Sequence, residues 1–141
     1  MKKFILTYKR NPDRFARIES AIIAIKSIIP LELLDAHKRE LLGVCIWKIT
    51  EADGKWNVRF RSEKALSSSD NLRHEHVYER KHLIDRLISG ESVESVIRDA
   101  IACVVTKDEH LVLSRQTSSG WDRYREAKIK VFDLEESRWT V

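Results

Sequence analysis

Ile101-Ala102-Cys103-Val104-Val105-Thr106-Lys107-Asp108-Glu109-His110 joins two kinds of structure in one short run. The apolar, β-branched stretch 101–105 reads as a strand. Thr106 and Glu109 then form a capping box, in which the threonine oxygen takes the N–H of Glu109 and the glutamate takes the N–H of Thr106. A helix starts there, and His110 falls in its first turn. Upstream, Ser92 can cap a helix through Val93, Val96, Ile97 and Ala100, and Gly90 closes an earlier one over 81–88, with Leu83, Ile84, Leu87 and Ile88 inward. Downstream come a loop at 116–120, a short helix at 121–127 and a closing strand at 129–134.

Further toward the N-terminus, residues 72–78 read as a short extended stretch. Residues 67–71, Ser-Ser-Ser-Asp-Asn, are the clearest loop. In 55–61, Trp56, Val58 and Phe60 alternate with Asn57, Arg59 and Arg61, which predicts a strand with a basic side. Before it, two helices are expected. The first starts at Asn11-Pro12-Asp13, with Asn11 as cap, buries Phe15, Ile18, Ile22, Ile25 and Ile29, and stops at Pro30. The second places Leu34, Leu41, Cys45, Ile49 and Ala52 on one side and ends at Gly54. Phe4, Leu6 and Tyr8 alternate as in a short edge strand. The expected fold class is α+β in a single domain over 1–141: an N-terminal helical hairpin (1–54), then a small sheet with several short helices (55–141).

With 141 residues there is no room for a two-domain enzyme. Hydrophobic residues at 43% with only 4 Gly and 2 Pro can build a core, which excludes global disorder. No apolar run approaches a membrane span, and residues 4–8 are too short for a signal-peptide core. Cys45 and Cys103 sit apart in apolar runs and read as reduced core residues, so the expected location is the cytoplasm, with no membrane partner. A net charge of +4 and a pI near 9.1 admit a nucleic-acid partner without requiring one. Gly-rich phosphate loops, dinucleotide fingerprints and nucleophile elbows are absent.

Arg73-His74-Glu75-His76-Val77, with His110 further on, is the densest group of chemically useful side chains. Imidazole and carboxylate are ligands for a divalent cation, and a neutral imidazole beside it can act as a general base. On a regular strand His74 and His76 share one face and Glu75 takes the other; at a strand end or irregular turn Glu75 and His76 converge. Glu75-His76-Val77 resembles the first motif of the HNH, or ββα-metal, endonucleases. Residues 100–103 followed by Glu109-His110 resemble that family's second strand entering a helix with a metal-binding His. The resemblance covers about 72–115 and implies Glu75 and His110 as metal ligands, His76 as the catalytic base and His74 as an extra ligand. Asp99 stands near the place of the family's central Asn. Glu79 replaces a common Pro, paired Cys-x-x-Cys motifs are absent, and His110 follows His76 by 34 positions that hold two expected helices. Without a metal, His74 and His76 are hydrogen-bonded strand residues and His110 a surface one.

A second group interleaves cations with aromatics: Lys55-Trp56-Asn57-Val58-Arg59-Phe60-Arg61 with Arg80 and Lys81, and Arg115, Arg123 and Arg125 near Trp121 and Tyr124. Cations neutralise phosphates and rings stack on unpaired bases, although large rings are chiefly core-forming. His37 and His82 read as polar helix positions, and the cluster 120–124 as a docking element for the last helix. The function expected is a nuclease dependent on Mg²⁺ or Mn²⁺, with zinc as an alternative. It would hydrolyse phosphodiester bonds in DNA before RNA, with Arg59, Arg61, Arg80 and Lys81 on the backbone. The alternatives are a non-catalytic nucleic-acid-binding module, or an immunity or anti-defence factor that docks a partner or a second copy through the N-terminal helices.

Overall fold

Thr106 Oγ1 accepts the N–H of Glu109 (3.2 Å) and Glu109 Oε1 accepts the N–H of Thr106 (2.9 Å), so the capping box forms as the sequence implies. The computed structural model describes residues 7–68 and 71–141. In chain order its elements are α1 (Arg14–Ile28), α2 (Asp35–Thr50), β1 (Phe60–Ser62), α3 (Glu63–Leu66), β2 (Leu72–His76), α4 (Arg80–Ile88), α5 (Val93–Arg98), β3 (Ala102–Thr106), α6 (Lys107–Ser114), α7 (Trp121–Glu126), β4 (Val131–Asp133) and β5 (Arg138–Trp139). The fold is α+β. Phe4, Leu6, Ser69 and Asp70, which belong to the expected first strand and to the loop, lie outside the described residues.

The sheet order is β2-β3-β1-β4-β5, with β1 parallel to β3 and the other neighbours antiparallel. One face is covered by α6 and α7, whose Leu113 and Tyr124 pack with Cys103, Val105, Val77, Ile129 and Val131. On the other face Ala102 and Val104 meet Val58 and Ala65. A second core joins the N-terminal hairpin to α4 and α5 through Ile25, Leu42, Ile46, Leu83, Leu87 and Val96.

The hairpin is tied at both ends. Arg14 pairs with Asp53, Arg17 donates to the carbonyl of Ala52 (3.2 Å), and Lys38 caps the last turn of α1 at the carbonyl of Ile29 (2.9 Å). Of the expected inward positions Ile25, Cys45, Ile49 and Ala52 are buried and Ile18, Ile22 and Ile29 pack on the core, while Phe15, Leu34 and Leu41 do not. On α2 the buried positions are Leu42, Gly43, Cys45, Ile46 and Ile49, while Leu34 and Leu41 are exposed, because α2 packs on α1 and α4 together. Gly43 faces α4, where an added Cβ would meet Arg80 and Ile84 at 3.7 Å, an ordinary van der Waals contact. On α1, Phe15 is 80% exposed, since the polar Arg14 and Arg17 take the closing contacts at that end. Asn11 does not cap α1; its Oδ1 accepts the N–H of Asp13 (2.8 Å) in the turn before the helix. The expected strand over 55–61 shortens to Phe60–Ser62, and β5 is a short ribbon that periodicity did not reveal.

Candidate functional site

Alternation along β2 decides what this strand can do. Glu75 lies opposite Cys103 on the face covered by α6 and α7, whereas His74 and His76 lie opposite Val104 and Ala102 on the face toward α2. The capping box sets the first turn of α6 against β2, which places His110 Nδ1 on Glu75 Oε2. The other carboxylate oxygen, Oε1, accepts from Arg123 Nη2 (3.2 Å). That guanidinium also donates to the carbonyls of His76 (2.7 Å) and Val77 (3.1 Å). Arg123 is 2% exposed and Glu75 is buried, while the His110 side chain is 44% exposed.

This geometry assigns a tautomer. A carboxylate only accepts, so Nδ1 of His110 carries the hydrogen and Nε2 of the neutral ring holds the free lone pair. No hydrogen bond engages Nε2 among the described residues. The result is a carboxylate-oriented imidazole whose basic nitrogen is available for a proton.

His76 belongs to a different environment. Its Nε2 is hydrogen-bonded to Thr50 Oγ1 (3.0 Å), and its ring meets Trp47 edge-on at 4.6 Å. His74 donates Nδ1–H to the carbonyl of Lys55 (2.7 Å) and lies 4.9 Å from Trp47. Burial lowers His76 from 6.5 to about 3, helped by His74, Arg80 and Arg123, and burial also lowers His74. His76 is therefore neutral when folded and takes up its proton only on unfolding. Its contribution to stability is complete above about pH 6.5 and is lost as pH falls toward about 3. Between pH 6.5 and 5 His76 should contribute to the fall of the urea-unfolding free energy a slope approaching one proton, about 1.4 kcal/mol per pH unit, with His74 adding in the same direction. His76→Gln should flatten that slope, and an unchanged slope would remove His76 as its source.

Glu75 and His110 thus come together, and His76 and His74 stand apart from them across the strand. The convergence of Glu75 with His76 that an HNH site needs does not occur, because β2 keeps its regular pleat through His76. Both oxygens of Glu75 are engaged, and among the described residues no group of three or more His, Cys, Asp or Glu side chains is placed to hold a metal ion. Glu75, His110, His74 and His76 do not compose one coordination shell. Asp99 is bound by Arg86 at 2.7 Å.

The expected basic stripe also changes. Arg59 forms a two-pronged pair with Asp133 (2.9 and 2.7 Å), and Arg61 is buried with its Nη2 on the carbonyl of Trp56 (2.9 Å). Arg80 and Lys81 remain exposed, the Arg80 guanidinium lying 5.0 Å from the Trp47 ring. Arg123, read with the surface arginines, is the buried clamp. Its sequence signal was a cation held between two core aromatics, Trp121 and Tyr124. No family model, curated protein or solved structure matches this chain.

Proposed function

We propose that the chain hydrolyses phosphodiester bonds in nucleic acid, with His110 in place of His76 as the proton acceptor and Glu75 as the group that orients it. The observation that carries this reading is the His110–Glu75 pair, closed from behind by Arg123. Nε2 of His110 takes a proton from water as the water oxygen bonds to phosphorus. The bond from phosphorus to the leaving sugar oxygen breaks, and that oxygen is protonated by solvent. The buried Glu75 carboxylate stabilises the imidazolium that forms. β2 and β3 are antiparallel neighbours in the sheet and β3 runs directly into α6, with α4 and α5 inserted between the two strands of the order that the HNH resemblance implies. Exposed Arg73, on the same strand face as Glu75, and exposed Arg80 and Lys81 supply charge for phosphates.

The test is cleavage of supercoiled and single-stranded DNA with Mg²⁺, Mn²⁺ or EDTA by wild type, His110→Ala, Glu75→Gln and His76→Ala. The expected result is loss of about a hundredfold or more in His110→Ala, a smaller loss in Glu75→Gln and retained cutting in folded His76→Ala. No cutting by wild type in any condition overturns the reading, as does cutting that needs His76 and not His110. Binding that survives without cutting would return the chain to the second reading, a non-catalytic nucleic-acid-binding module, which the burial of His76 favours.

A further inference from the structure

At the open edge of β2, Trp47, Lys55, Trp56, Leu72, Arg73 and His74 line a groove of about 360 Å³. Its aromatic groups are not equivalent. Trp47 is occupied by the His74 ring at 4.9 Å, the His76 ring at 4.6 Å and the Arg80 guanidinium at 5.0 Å, and so forms a wall. Trp56 is 45% exposed, and no other ring packs on it among the described residues. The Lys55 ammonium lies 5.1 Å from its ring centroid. Large rings are normally buried: Tyr124 is fully buried, and Phe60 and Trp121 pack against the core, while Trp139, 51% exposed, has the Phe132 ring as a partner at 5.1 Å.

Exposed cations line the groove and lie on its Trp47 wall. Lys55 and Arg73 line the groove itself, and Arg80 and Lys81 follow at the start of α4, against Glu51 at the end of α2 as the carboxylate that acts on His74 from that side. An exposed indole among cations is the recognition chemistry of an unpaired nucleobase and its phosphates. A base inside a duplex has both faces stacked and cannot use such a ring.

We infer that this groove is a binding subsite for single-stranded nucleic acid, in which one unpaired base stacks on Trp56 while Lys55, Arg73 and Arg80 engage the neighbouring phosphates. The inference rests on nucleic acid as the substrate and adds its strandedness; it does not depend on cleavage. The groove and the His110–Glu75 pair lie on opposite sides of the same edge strand, β2.

The test uses a fluorescein-labelled ten-nucleotide oligothymidylate, followed by anisotropy at low salt. A His110→Ala background keeps cutting from obscuring binding. Trp56→Ala should weaken binding by about five- to a hundredfold, Trp56→Phe should keep most of it, and Lys55→Glu should weaken it and reduce the salt dependence. A duplex of the same length should compete poorly. Equal affinity for duplex and single strand, no binding at low salt, or an unaffected Trp56→Ala would overturn the subsite. Trp56-dependent binding with no nuclease activity in the wild type sinks hydrolysis and leaves the subsite standing. DNA cutting with Trp56→Ala behaving as wild type does the reverse.

Discussion

Replacing Arg123 with Leu is expected to destabilise the protein by about 3–5 kcal/mol, the usual cost of removing one partner from a buried ion pair. The guanidinium is 2% exposed and serves Glu75 and the carbonyls of His76 and Val77 from a single nitrogen. Leucine leaves Glu75 with only His110 and strips two backbone acceptors of a donor that buried water cannot easily replace. Lysine keeps the charge but lacks the planar fork, so Arg123→Lys should recover part of the loss. Glu75→Gln combined with Arg123→Leu should cost less than the sum of the single changes, because the double variant has no unpaired buried charge. Urea unfolding of the four proteins checks this. A midpoint for Arg123→Leu close to wild type would show that the clamp contributes nothing to the fold.

Gly120→Ala should be nearly as damaging, through the backbone. Gly120 precedes α7 at φ 63° and ψ −149°, a region open to glycine and strained for every L-residue by about 1–3 kcal/mol. An added Cβ would also stand 2.5 Å from Tyr78 Cζ and 2.8 Å from its hydroxyl oxygen. The Tyr78 ring packs against both the hairpin core and the α6–α7 core, so moving it adds a packing loss of about 1 kcal/mol or more. The expected outcome is a clear fall in the urea midpoint at constant slope. Since Gly120 sets where α7 begins, the variant should also lose cleavage in proportion to the displacement of Arg123. A variant as stable as wild type would mean that the loop before α7 takes up both strains elsewhere.

The parts of the fold legible in the sequence were those written in local rules. The capping box at Thr106, the serine cap at Ser92, whose Oγ accepts the N–H of Ser95 (3.2 Å), and the apolar run of β3 all depend on neighbours within a few positions. The pleat was legible too: reading 72–78 as a regular strand separates Glu75 from His74 and His76, which is what the structure shows, whereas the HNH resemblance required them to converge. What could not be read was set by distant partners. Arg123 meets Glu75 across 48 positions, and Arg59 meets Asp133 across 74, so neither arginine announced that its charge was already taken. The stripe of α2 was read with Cys45, Ile49 and Ala52 inward, as found, but without Leu42 and Ile46, since its second neighbour, α4, is contributed from beyond β1 and β2. Trp56 resembled every other large ring in the sequence, and only the fold leaves it in solvent.

Edge strands often tolerate sliding, because only one neighbour fixes their alignment. β2 is such a strand, with β3 as its sole partner in the sheet, yet its parity is checked on both sides at once. A slip by one position would turn an imidazole toward Arg123 and bring the Glu75 carboxylate against Trp47, an error in two chemistries that no rotamer change repairs. The opposed demands of the two faces give this margin of the sheet the unambiguous alignment that strands normally owe to a second neighbour.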